Sequence, residues 1–162
     1  MKSFITLFAT TLLSGCIAPS ESPTSQDTLI VEQAYALCKG TADSSPEAMR
    51  LSESFVLGKN RNANYLEKTA NERYATDEQI SDIYSYRTHL KICRAKAVED
   101  LQSFDKEYAT LVSDYFFEDD KITADIVNKK ITIGEANRKV TKSEYYFSLK
   151  GYDIKEQRSP RQ

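Results

Sequence analysis

Residues 76–116 read TDEQISDIYSYRTHLKICRAKAVEDLQSFDKEYATLVSDYF, a run without glycine or proline. Ile83, Tyr86, Leu90, Cys93, Ala97, Leu101, Phe104, Tyr108, Leu111 and Tyr115 make nine steps across 32 residues. The repeat is about 3.56 residues, that of an α-helix with one face turned to a core. Thr76 and Gln79 have the spacing of a capping box, each side chain able to bond the other's amide. Carried unbroken from Asp77 to Phe116 the helix would be about 60 Å long, beyond the span of a compact domain of this size. A kink, or a projection beyond the body, is expected along it.

The same signals continue on both sides. No proline lies between Pro46 and Pro160, and neither glycine nor proline between Gly58 and Gly134, so the body reads as helices joined by polar turns. Upstream, a helix over 28–39 is predicted, capped by Asp27, stopped by Gly40 and turning Val31, Ala34, Tyr35 and Cys38 inward. Ser45-Pro46-Glu47 opens another over 46–57. After the turn-prone Gly58-Lys59-Asn60-Arg61-Asn62, a short helix would place Ala63, Leu66, Ala70 and Tyr74 on one face. Downstream, Glu118-Asp119-Asp120 reads as a solvated turn or helix start, followed by a short helix through Ile122, Ile126, Val127 and Ile131. Thr132 and Glu135 form a second capping box, opening a last helix through Ala136 and Val140. The predicted class is all-α: a small helical bundle or helical hairpins with one long helix, over 28–149, then a basic flexible tail over 150–162.

Composition fits one such domain, with 40% hydrophobic and 28% charged residues in a chain of 162. The 22 basic and 24 acidic side chains are interspersed, leaving a net charge of −2. No basic footprint for nucleic acid results, and none is expected as a partner.

The amino end has a different character. Met1-Lys2-Ser3 supplies one positive charge and Phe4 to Leu13 an apolar run of about ten residues, the layout of an export signal and too short for a spanning helix. Leu13-Ser14-Gly15-Cys16 then resembles the lipobox of bacterial lipoproteins. The resemblance covers residues 1 to 16 and implies removal of a signal peptide over 1–15, a diacylglyceryl group on the Cys16 thiol, and acylation of its new amino group with palmitate-type chains. Two or three buried chains, at about 0.8 kcal/mol per methylene, would make the membrane the first partner. In the sorting pattern of enteric lipoproteins an aspartate after the cysteine retains the protein in the inner membrane; Ile17 stands here. The expected address is therefore the outer membrane, facing the periplasm. Residues 16–27, rich in serine, threonine and proline, read as a flexible tether. With Cys16 assigned to lipid, Cys38 and Cys93 are the remaining thiols, and an oxidising compartment favours a disulfide between them.

Catalytic patterns are sparse. His89 is the single histidine, one position off the apolar stripe, and two thiols with one imidazole do not complete a zinc site. Gly-x-Ser-x-Gly, His-Glu-x-x-His and Cys-x-x-Cys are missing. The pairs Glu99-Asp100 and Asp119-Asp120 sit at helical neighbours, which point in different directions rather than flanking a substrate. No enzyme, cofactor or metal is expected. Tyr84, Tyr86, Tyr108, Tyr115, Tyr145 and Tyr146 suit either the rim of a helical core or a protein interface. The expectation is a non-enzymatic accessory, adaptor or structural subunit binding another protein at the membrane surface. The alternative is an anchored inhibitor or exclusion factor against an incoming enzyme or uptake process.

Overall fold

Asp105 divides the long apolar stripe into two helices. A computed structural model describes residues 25–58 and 60–158; the predicted signal peptide, Cys16 and most of the predicted tether lie outside them. Among the described residues there are six helices and no strand: α1 (Ser25–Ala42), α2 (Pro46–Leu51), α3 (Tyr65–Thr69), α4 (Asp77–Phe104), α5 (Lys106–Val127) and α6 (Ile133–Arg158). The all-α bundle read from the sequence is thus the observed class. The unbroken helix over 77–116 is not present. Asp105, at φ −137° and ψ 75°, ends α4 by donating its amide to Leu101 O at 2.7 Å. It also opens α5, its carboxylate accepting from the Tyr108 amide at 2.9 Å, as an N-cap aspartate does.

After this break α5 runs back along α4, so that Lys129 at the far end of the hairpin reaches Asp77 at 2.8 Å. α1 is antiparallel to α4 on another side. Thr28 lies against Asp105, Cys38 is joined to Cys93, and Tyr86 donates to Asp43 at 2.6 Å. α6 is antiparallel to α5, with Phe147 stacked on Tyr115 at 4.8 Å between ring centroids. Two apolar clusters fill the bundle. One gathers Leu51, Phe55, Ile83, Leu90, Ile126 and Ile133 at the end carrying α2 and the start of α6. The other gathers Val31, Leu101, Tyr108, Val112 and Phe116 around the α4–α5 break.

The predicted caps at Thr76, Ser45 and Thr132 all form. Thr76 and Gln79 bond reciprocally at 3.2 and 3.0 Å. Ser45 accepts from Ala48 at 3.2 Å, and Thr132 from Glu135 at the same distance. Boundaries moved elsewhere. Asp27 lies inside α1 rather than capping it, and Gly40 does not stop the helix, which ends at Ala42. Of the face predicted for α1, Val31 is buried and Tyr35 half-buried, whereas Ala34 and Cys38 are exposed. α2 closes at Leu51, six residues short of the expected end. Ala63, Leu66, Ala70 and Tyr74 face outward around α3, with Leu66 80% exposed. α3 is fixed instead by polar contacts: Asn137 donates to Lys68 O at 2.8 Å, and the Lys68 ammonium to Asn60 O at 2.8 Å. Residues 118–120 are no turn; they lie within α5, which absorbs the short helix expected after them. α6 continues past 150 to Arg158, held where Gly151 meets the Tyr108 ring at a spacing that would put a Cβ 3.4 Å from it.

Cys38 and Cys93 form a disulfide with Cα atoms 5.7 Å apart and a separation of 55 positions in sequence. A loop of that length corresponds to about 4 kcal/mol in the chain-entropy account. The oxidised chain should weigh two daltons less than its reduced form, and the Cys38→Ser, Cys93→Ser double variant should lose stability on the order of 4 kcal/mol in denaturant unfolding. Equal masses would remove the bridge. Gly134 makes a second prediction. A Cβ there would lie 2.6 Å from Thr69 O and 2.7 Å from Asn71 O, both backbone atoms. Gly134→Ala should therefore cost about 1–3 kcal/mol, read as a lowered thermal midpoint; an unchanged midpoint contradicts this packing.

Candidate functional site

Where the two apolar clusters meet, the bundle holds charge. Arg87 and Arg94 lie seven residues apart on one face of α4, beside the apolar stripe, and both donate to the Asp119 carboxylate of α5. Arg94 also donates to Asp120 at 3.0 Å and lies 4.8 Å over the Phe116 ring. Burial alone would raise the Asp119 carboxyl, but Arg94 and Arg87 outweigh it and hold it below the usual carboxylate range. Tyr86 and Tyr115 close the same seam. Burial pushes the Tyr86 hydroxyl well above its ordinary value, and the hydrogen bond it donates to Asp43 adds to the shift. Tyr115 is raised by burial and by the charges of Glu144 and Asp119. Glu144 accepts from Arg61, tying α6 to the loop before α3. Asp119, Tyr86 and Tyr115 are thus shifted away from neutrality, while burial draws the Arg87 guanidinium below its ordinary value.

The outer face of α5 and α6 is the more open feature. A groove of 710 Å³ runs between these helices. Its apolar base includes buried Ile122 and half-buried Leu111, Tyr115 and Phe147. One rim, on α6, carries Lys139, Lys142 and Lys150; the other, on α5, carries Asp114, Glu118 and Asp125 with Lys121. Tyr146 lines the groove at 60% exposure, and Tyr145, Leu149 and Tyr152 are exposed elsewhere on α6. Phe117 on α5 is 67% exposed beneath the Lys121 ammonium.

Cys16 lies outside the described residues, and Cys38 and Cys93 are brought together. His89 is exposed on α4. Glu99 is exposed, and Asp100 pairs with Lys96 on its own helix. Asp119 and Asp120, read as solvated, are the acidic partners of the arginine pair. Among the six tyrosines singled out, Tyr86 and Tyr108 are buried, Tyr115 is half-buried, and Tyr84, Tyr145 and Tyr146 are exposed. No group of three or more histidine, cysteine, aspartate or glutamate side chains among the described residues could hold a metal ion. The α5–α6 groove was missed in sequence because the expected turn at 118–120 split one of its walls. The chain matches no known protein family, no curated protein and no solved structure.

Asp119→Asn leaves Arg87 and Arg94 with only the more exposed Asp120 as shared counter-charge, a loss of about 3 kcal/mol, the low end for buried pairs broken on one side. Because its folded-state value is depressed, Asp119 contributes stability that is present above the ordinary carboxylate range and lost as pH falls through the folded value. The gap between wild type and variant in denaturant unfolding should be widest near neutrality and narrow in acid. A gap that stays constant with pH would refute the assignment.

Proposed function

We propose that the chain is a lipid-anchored protein of the bacterial envelope whose helical body works by binding another protein at the membrane surface, without catalysis. The observation carrying this reading is Cys16 itself, placed after Leu13-Ser14-Gly15 at the end of an apolar run. None of the described helices is long and apolar enough to cross a membrane, so acyl chains on that thiol would be the attachment. The exposed tyrosines of α6 and the groove beside them supply a surface suited to contact. Ile17 after the lipidated cysteine favours the outer membrane, facing the periplasm.

Cells fed labelled palmitate should incorporate it into the wild-type chain and leave a mature protein beginning at Cys16. Cys16→Ala should take up no label and retain residues 1–15. Unlabelled protein that starts at Met1 in the soluble fraction would overturn the anchor. Cross-linking from Tyr146 in intact cells then separates the two modes of action: a resident envelope protein supports an accessory or adaptor, and capture only of an incoming enzyme would replace it with an inhibitor or exclusion factor.

A further inference from the structure

We infer that the α5–α6 face is a self-association surface, docking a second copy of this chain about a twofold axis parallel to the two helices. The charge layout carries the inference. The α6 rim is cationic through Lys139, Lys142 and Lys150, while the α5 rim is mainly acidic, with Lys121 as the exception and held by Glu118 at 2.8 Å. A twofold axis lying along the groove sets α5 of one copy over α6 of the other, so each acidic rim faces a lysine rim. An axis across the helices would set α5 over α5 and oppose like charges.

The levels along the helices also match. Asp125 lies 3.9 Å from Lys139, and Tyr115 stacks on Phe147, which fixes the register of the antiparallel pair. In that register Asp114 lies near the level of Lys150, whereas Lys142 falls at the level of Lys121, whose charge is offset by Glu118 at 2.8 Å, with Glu118 and Asp125 to either side of that level. A rotation about an axis parallel to the helices preserves level, so the same pairs meet across the interface. Among the described residues, Asp114, Lys142 and Lys150 make no ion pair within the chain. Their charges are available to a second copy.

The size is adequate. α5 has 22 residues, so two adjacent helices about 33 Å long and about 10 Å wide each present a face of roughly 660 Å² per copy, and a pair buries about 1,300 Å², within the range of specific interfaces. Tyr146 would lie inside that area, above the apolar base of the groove. Pairing gives a four-helix arrangement whose facing helices are antiparallel. This inference rests on reading the body as one that acts by contact, and it holds whether or not Cys16 carries lipid.

Sedimentation equilibrium of the full chain, in a density-matched nonionic detergent, tests it. The wild type should sediment at twice the monomer mass. Lys142→Glu with Lys150→Glu makes both rims acidic, and Asp114→Lys with Glu118→Lys makes both basic, so each variant alone should be monomeric. An equimolar mixture of the two should return to the dimer mass, since every rim then meets its opposite, and that recovery also shows that both variants are folded. Three results would each overturn the proposal: a wild type that stays monomeric up to its solubility limit, charge variants that still dimerise alone, or a mixture that fails to associate. Mass is read independently of palmitate labelling, so failure here leaves the anchor untouched.

Discussion

One carboxylate held between two guanidinium groups organises this bundle. Asp119 stands where α5 has returned halfway along α4, and its partners Arg87 and Arg94 are two helical turns apart on the facing helix. Charges withdrawn from water are costly unless matched, so a slide of α5 by one turn would strand at least one of them. Apolar contacts alone would tolerate such a slide, because the stripe repeats at each turn. The ion pairs therefore specify register where the hydrophobic clusters supply most of the cohesion.

Around that point the other fixed contacts gather in one layer. Cys93 precedes Arg94 on α4, and its bridge to Cys38 holds α1 against the same level. Tyr35 of α1 lies 5.4 Å from Phe116, the ring beneath Arg94. Glu144 brings in α6 through Arg61. The layer has apolar clusters on both sides, and each long helix passes through it once. Neighbouring helices are thus clamped near their middles, and the ends depend on local devices: the Thr76 capping box, the Asp105 reversal and the backbone seat of Gly134.

How much of this could be read in advance follows from how local each cause is. Ser45, Thr76 and Thr132 cap helices through atoms three residues away, so residues within one turn identified them: the following Pro46-Glu47 for Ser45, the spacing to Gln79 and Glu135 for the threonines. The apolar stripe identified the core-facing side of α4 and α5. It concealed the break between them, because both helices turn toward one core and the period passes through Asp105 without losing phase. The available signal was an aspartate able to cap the Tyr108 amide in a stretch otherwise read as helix interior. Asp119 was misread for the opposite reason: runs of acids usually face water, and its partners are 25 and 32 residues away. Two arginines seven apart beside an apolar stripe were the legible half of that pair. The short helix α3 was legible from periodicity but its orientation was not, since Asn137 and Lys68 hold it through polar atoms while its apolar side chains point outward.

The bridge between Cys38 and Cys93 also sets how the body responds to mechanical load. Thr28 lies against Asp105 and Lys155 reaches Glu32 at 2.8 Å, so the start of α1 and the end of α6 emerge at one pole of the bundle. Tension entering from the amino side would unzip α1 from α4 one turn at a time, beginning at that pole. The covalent link stops the unzipping at Cys38, thirteen residues into the 18-residue helix. Force is handed there to α4 in shear, and whatever sits at the opposite pole is shielded from the pull.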